Sequence, residues 1–525
     1  MTVTAPAAAI SGRPLGLARV GASALVGLDA REVTVEVCCT RGPSLFQLVG
    51  LAEAAVREAR VRVAGALARL GVLLDEYALT VNLAPAELRK GGAALDVALA
   101  VGVLVATGKL EPLPLQGVLF LGELSLNGEV QPVRGVLPQL LGASARGVKE
   151  AIVPAGNAAE AGLVDGVSCF VAGDLKEIWK HLSGEARLPR ATRNRYAPAC
   201  PPTDADLAEV RGQASARRAL EVAAAGRHNL LFIGPPGSGK TMLARLLPTL
   251  MPPLSFEEAI EVTAIHSVAG LIDAERGIIS ARPFRAPHHS VSEAGLVGGG
   301  ETPRPGEISL AHRGVLFLDE LAEFGKRTLE ALRQPLEDGK VCIARARARA
   351  WFPASPLLVA AVNPCPCGYR GHPSRPCECT EAARRRYRGR LSGPLVDRID
   401  MHIAVPPVEV AQLTSRRQRE SSAAVRERVT QAWELQRARD AAGETGPKAN
   451  AQLTAEELSR IAPLGRDAQR LLRAALDKLG LSARAYLKIL RVARTIADLE
   501  REPQVGTMHV AEAVQMRLLD RQRWV

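Results

Sequence analysis

Residues Gly234 to Thr241 read Gly-Pro-Pro-Gly-Ser-Gly-Lys-Thr, and further along Leu316 to Glu320 read Leu-Phe-Leu-Asp-Glu. Together they supply the two halves of a site that hydrolyses a nucleoside triphosphate. In the first, Gly234, Pro235, Pro236, Gly237, Ser238 and Gly239 form a loop whose backbone N–H groups curl round a β-phosphate at a helix N-terminus. Lys240 then reaches the β/γ oxygens, and Thr241 ligates Mg2+. In the second, an apolar strand delivers Asp319 to the Mg2+ shell, and Glu320, one residue further, polarises the attacking water. A lone Gly-rich loop also reads as a tight turn. Here the apolar strand Leu230-Leu231-Phe232-Ile233 precedes the loop, a helical run from Met242 to Leu247 follows it, and the Asp-Glu pair accompanies it. A P-loop ATPase is the expectation.

The elements that position these groups lie in a chain of 525 residues, too long for one core; about three or four domains are expected. Apolar residues make up 47%, enough to fill those cores, whereas aromatics are 3%. A formal charge of +12 points to an anionic partner, nucleic acid before membrane, with nucleotide binding accounting for part of the excess. Met1 to Gly16 lacks the basic and apolar regions of an export signal, and the longest apolar run, Val97 to Ala106, is too short to span a bilayer and contains Gly102. A cytoplasmic location is expected. Nine cysteines, five of them single or in the pair Cys38-Cys39, argue for reduced thiols over a disulfide framework.

Pro189, Pro198, Pro201 and Pro202 mark a first boundary. Residues 1–185 read as an α/β domain, with a strand at Val33–Val37, helical spacing from Ala54 to Leu70 and another strand at Thr80–Leu83. Residues 186–203 form a linker, 204–405 the ATPase core ending at Val405-Pro406-Pro407, and 406–525 a helical region interrupted within Ala441 to Asn450.

Cys365-x-Cys367 and Cys377-x-Cys379 bracket nine residues that include Gly368, Gly371, Pro373 and Pro376. Four soft donors round one turn-rich loop suit a tetrahedral, structural Zn2+. The spacing departs from the usual two-to-four-residue gap, His372 competes as a ligand, and four free thiols are the alternative. Arg345, Arg347 and Arg349 alternate with alanines; on one strand their guanidiniums would face one way, spaced by about 6.6 Å. That comb suits a phosphate backbone, or equally a solvated edge strand protected from aggregation. The run Arg384-Arg385-Arg386-Tyr387-Arg388-Gly389-Arg390 sets a base-stacking Tyr387 among phosphate-seeking charges, or forms a solvated helix face or subunit interface.

From Glu209 to Ile399 the chain resembles the magnesium-chelatase-like branch of the AAA+ ATPases. The resemblance rests on Arg282-Pro283-Phe284-Arg285-Ala286-Pro287-His288-His289, Val297-Gly298-Gly299-Gly300 and Pro305-Gly306-Glu307-Ile308-Ser309-Leu310-Ala311-His312, which occupy the insert this branch carries before its second motif. Adding Asn363-Pro364-Cys365-Pro366-Cys367-Gly368 and Ser482-Ala483-Arg484-Ala485-Tyr486, nearly the whole chain resembles the ComM/YifB family of competence-associated helicases. The resemblance implies that Asn363 is a sensor orienting the lytic water, against the alternative of a strand-end turn. Arg398 becomes an arginine finger reaching a neighbouring subunit, against a salt bridge to Asp397 or Asp400. Arg484 becomes the sensor-2 arginine of a helical lid. A finger acting in trans requires head-to-tail contacts, and the resemblance implies a hexameric ring. It further places the arginine comb on a hairpin facing the pore. Adjacent His288 and His289 on extended chain point to opposite faces and do not share an ion; contact with the channel, or hydrogen bonding in a turn, is expected of both.

The front domain resembles the proteolytic domain of Lon-type enzymes, a ribosomal-S5-like α/β fold, through Arg89-Lys90-Gly91-Gly92-Ala93-Ala94-Leu95-Asp96 and Gly122 to Val130 leading to Arg134-Gly135-Val136-Leu137. Ala94 and Leu137 stand where that family carries its nucleophilic Ser and its Lys base, so the fold is expected without the chemistry. Ser125 lacks an evident base. The first functional reading is an ATP-driven, Mg2+-dependent hexameric DNA motor promoting unwinding or branch migration of single-stranded or branched DNA, with recombination proteins as partners, during natural transformation. The second is a chelatase-type ATPase remodelling a protein partner, which the insert fits equally; the Lon-like front domain and basic charge weigh against it. An active protease fails on Ala94 and Leu137.

Overall fold

A computed structural model describes residues 14–50, 54–88, 90, 94–111, 115, 117–201, 205–345, 348–408 and 419–517. The front of the chain folds on a seven-stranded sheet, in spatial order Leu45–Val49, Tyr77–Ala84, Asp29–Arg41, Pro14–Val26, Val118–Phe120, Glu150–Pro154 and Ser168–Ala172. Its two long strands pair antiparallel, and Val33, Val35, Val37 and Cys39 alternate inward with the period of two that a half-buried strand requires. The run Val97–Ala106 lies in the helix Asp96–Ala106, every residue of which is buried in this domain, so its apolar surface on all sides serves a core. Among the described residues no helix is long and apolar enough to cross a membrane.

The ATPase core is built on five parallel strands, in spatial order Phe284–Arg285, Val315–Leu318, Leu357–Val362, Leu230–Ile233 and Met401–Ala404. The strand earliest in sequence, Leu230–Ile233, lies between the two latest ones. Strand order reverses there, and in open α/β sheets ligands bind outside the carboxyl ends of the strands at such a point. The Gly-rich loop, Asp319 and Asn363 each follow directly on one of these strands.

Two boundaries differ from those read in the sequence. Leu188 is buried, and residues 189–191 run along the front sheet, with Val171 N–H donating to Pro189 O at 2.9 Å and Ala191 N–H to Cys169 O at 2.9 Å. The prolines mark a chain leaving that sheet, and the connection begins after it. The helices Ser422–Ala441 and Ala483–Leu499 share one apolar core with the ATPase sheet and its helix Ala214–Gly226, so the helical region is continuous with the core domain. The front domain is also docked: Gly135 N–H donates to Ser267 O at 3.1 Å, and Ser267 Oγ donates to the buried Glu160 carboxylate at 2.5 Å.

Candidate nucleotide and metal sites

Leu230–Ile233 ends in the Gly234–Gly239 loop, which turns directly into the helix Lys240–Leu250. Gly239 caps that helix at φ 90°, a left-handed conformation that L side chains adopt at a cost. A Cβ on Gly234 would stand 2.1 Å from Val405 O, so the loop packs against the end of the neighbouring strand in a way a larger residue would prevent. Lys240 Nζ donates to Gly234 O and Pro235 O at 2.8 Å each and to Asn363 Oδ1 at 3.3 Å. Burial lowers its pKa, with Asp319 and Glu320 opposing. Thr241 Oγ1 donates to Asp319 Oδ2 at 2.7 Å, setting a hydroxyl and a carboxylate together as a Mg2+ ion coordinated by both requires. These groups, with Glu320 and Asn363, line a cavity of about 400 Å³. Glu320 itself sits at φ 51°, strained for a residue with a Cβ. Backbone N–H donors, a lysine, a metal pair, a carboxylate and a polar sensor converge as triphosphate hydrolysis demands.

Arg398 and Arg484 are not brought to this cavity. They line a second one, of about 560 Å³, together with Asn229, Ser355, Asp397, Asp400, Lys488 and Arg491 among others. Asn229, Ser355 and Asp400 immediately precede strands of the core sheet, so this cavity opens at the amino ends and the nucleotide loop at the carboxyl ends. Arg398 is held by its own chain: Nη2 lies 2.5 Å from Glu337 Oε1, and Nη1 donates to Pro394 O at 2.8 Å. Its ion pair is with Glu337 rather than the expected alternatives Asp397 or Asp400. Arg484 is exposed, with Nη1 3.7 Å from Asp397 Oδ2. Burial lowers the pKa of Lys488, whose Nζ is 3.1 Å from Asp400 Oδ1, and of Arg491.

The four knuckle cysteines come together. Cys365 Sγ lies 3.4 Å from Cys367 Sγ and 3.6 Å from Cys377 Sγ, Cys367 and Cys377 are 3.7 Å apart, and all four sulfurs lie within 4.8 Å of one another. Tetrahedral thiolates at a Zn–S length of 2.3 Å stand about 3.8 Å apart, so the donor set fits such an ion. The Tyr369 backbone N–H holds the Cys367 thiol down to about 6, while burial pushes Cys365 up to about 12. His372 Nδ1 instead accepts from Ser374 N–H at 3.2 Å, away from the sulfurs.

Three expectations about the remaining candidates are corrected. Tyr387 is buried, which raises its pKa to about 12, so its ring belongs to the core and presents no stacking face. The arginine comb does not form on one strand: Arg345 pairs with Ala348 and Ala344 with Arg349 across an antiparallel hairpin. The chain reverses between them, Arg347 lies outside the described residues, and exposed Arg349 packs over Trp351 at 5.5 Å. His288 and His289 do not diverge, because a turn brings their ring centroids to 4.0 Å. Their partners differ: His288 Nδ1 is 2.8 Å from Ser290 Oγ, and His289 Nδ1 is 3.5 Å from Glu320 Oε2. In the front domain Leu137 is fully buried, and Ser125 hydrogen-bonds within its own turn to Asn127 and Glu129 O.

Residues 206–413 match the family model of magnesium chelatase subunit ChlI, residues 35–157 that of subunit ChlI of Mg-chelatase, and residues 419–517 that of the ChlI C-terminal region. The chain is 44% identical over 514 residues to the competence protein ComM of Haemophilus influenzae, covering 97% of this chain and 98% of that one. It is 43% identical over 511 residues to an uncharacterized protein, YifB, of Salmonella typhimurium, with the same coverage. A shorter similarity, 32% over 147 residues and 26% of each chain, is to Lon protease 2 of Bacillus subtilis. Matched from its front domain to its last helices, and carrying the loop, the acidic pair and the sensor asparagine in one cavity, the chain belongs to the magnesium-chelatase-like ChlI family of AAA+ ATPases, with the ComM and YifB proteins.

Proposed function

We propose that this ATPase assembles head to tail into a hexameric ring that moves single-stranded or branched DNA, promoting unwinding or branch migration in recombination during natural transformation. The observation that carries the ring is the separation of the two halves of the chemistry. Gly234–Thr241, Asp319, Glu320 and Asn363 stand at the carboxyl ends of the parallel strands, Arg398 and Arg484 at their amino ends. Strands of four to six residues hold those faces roughly 13–20 Å apart. No side chain spans that distance, whereas a heterologous interface sets one face against the other and lets a guanidinium neutralise the γ-phosphoryl oxygens of the next subunit. In the cycle Lys240 and the loop bind the triphosphate, Thr241 and Asp319 hold Mg2+, which neutralises developing charge, and Glu320 and Asn363 orient the water. Cys365, Cys367, Cys377 and Cys379 hold a structural zinc in this reading, since four thiolates leave no open coordination position.

Support for DNA comes from the basic charge, from exposed Arg349 and Trp351 on the hairpin, and from a relative named for competence. The second reading, remodelling of a protein partner as in a chelatase, draws on the description of the matched family. The front domain does not separate the two, because its own match carries that description as well. ATP hydrolysis measured alone and with single-stranded, duplex and branched DNA tests the choice. Strong stimulation by one DNA form is expected; equal rates throughout would refute the DNA reading.

A further inference from the structure

The strands Phe284–Arg285 and Val315–Leu318 run parallel, with Arg285 opposite Leu316. His289 and Glu320 each lie four residues beyond that pair, so the register carries them to the same level at the carboxyl end of the sheet. There His289 Nδ1 stands 3.5 Å from Glu320 Oε2, and among the described residues it is the group paired with that carboxylate. His289 lies outside the residues lining the nucleotide cavity, whereas Glu320 lines it. The carboxylate is therefore drawn toward a group behind the position from which it would polarise water. The strand that presents His289 is firmly anchored: Arg285 bonds Glu307 through Nε at 2.6 Å and Nη2 at 2.7 Å, and buried Arg282 donates to Pro252 O at 2.6 Å and Arg313 O at 2.6 Å.

Beyond His289 the chain passes through the helix Glu293–Val297 to Gly298, where a Cβ would stand 2.8 Å from Ile343 Cδ1 on the arginine-bearing hairpin. The segment thus links the hairpin to Glu320 by packed contacts and a short stretch of backbone. Two sites can be coupled this way only through an element whose position both of them bias.

We infer that His289 is a positioning residue that restrains the Glu320 carboxylate in the resting subunit and releases it when the hairpin and its neighbouring insert shift. This rests on the reading of Glu320 as the water-polarising group. The test uses full-length protein, with steady-state ATP hydrolysis in the absence of nucleic acid. His289→Ala, or His289→Ser if the first fails to fold, is expected to raise kcat roughly threefold to tenfold, the scale of one lost hydrogen bond. KM should stay within about twofold, since uniform binding is untouched. His289→Asn, whose amide nitrogen takes the place of Nδ1, should return kcat toward the wild-type value, and His288→Ala should not reproduce the rise.

In a Glu320→Gln background the His289 substitution should have no effect. The inference is overturned if His289→Ala leaves kcat unchanged, lowers it, or raises KM along with it. Normal hydrolysis by Glu320→Gln alone would instead remove the role of Glu320. Failure of DNA to stimulate the wild type would sink the nucleic-acid reading and leave the restraint to be judged on the basal rate.

Discussion

Replacing Gly368 by Ala should weaken nucleotide binding although this residue belongs to the cysteine knuckle and contacts no phosphate. Gly368 sits at φ 82°, and a Cβ there would stand 2.5 Å from Pro236 Cδ and 2.8 Å from Cγ, inside the phosphate loop. Ordinary contact between carbons lies near 3.5–4.0 Å, so the loop or the knuckle must retreat by roughly 1 Å. If the knuckle is fixed by its metal, the loop moves. A shift of that size takes backbone N–H groups out of the 2.7–3.2 Å range of a hydrogen bond to phosphate, and one lost bond to a charged acceptor is worth about 1.5–3 kcal/mol. The dissociation constant for ATP should then rise roughly 10- to 100-fold. Gly371→Ala is the control, because Gly371 shares the left-handed conformation at φ 76° and a Cβ there would meet nothing within 4 Å. Both variants carry the same backbone penalty of about 1–2 kcal/mol, visible in thermal melting, but Gly371→Ala should bind ATP within about threefold of wild type. Calorimetric titration with ATP measures the difference. Equal affinities for the two variants would refute any mechanical link between knuckle and phosphate loop.

Lys240→Ala should abolish tight ATP binding, whereas Glu320→Gln should retain binding and stall hydrolysis; equal loss of binding in both would contradict the division of roles. Arg398→Ala should bind ATP without hydrolysing it, and mixing it with Lys240→Ala in subunit-exchanging rings should restore some turnover, an outcome that action within one chain would not produce. Elemental analysis of protein purified without added metal should find one zinc per chain, lost in a Cys377→Ser variant, and a fully active metal-free preparation would count against the site. For single-stranded DNA, Arg349→Ala should flatten the dependence of log affinity on log salt by about 0.7 if that guanidinium meets a phosphate, while basal ATPase persists. An unchanged slope would remove Arg349 from the DNA contact surface.

Local sequence determined the parts of this protein whose chemistry is local. The phosphate loop is legible because glycines, a lysine and a threonine at fixed offsets specify one backbone shape between a strand and a helix, and the structure brings Lys240, Thr241, Asp319 and Asn363 together. The cysteine pairs are legible for the same reason, since a short turn brings all four sulfurs together. Contacts made across the sheet were not legible. His289 meets Glu320 because two parallel strands share a register, and nothing within either segment states that register. Arg398 and Arg484 match motif positions, yet their place at the amino ends of the strands follows from the topology of the sheet. Tyr387 looked available among arginines and is buried, because the helix Glu381–Arg388 turns that face to the core. Alternating arginines looked like a strand until the pairing of Arg345 with Ala348 placed a reversal between them. Spacing along the chain fixes what a loop can bind; which face of the molecule each group occupies is decided by long-range packing and strand order.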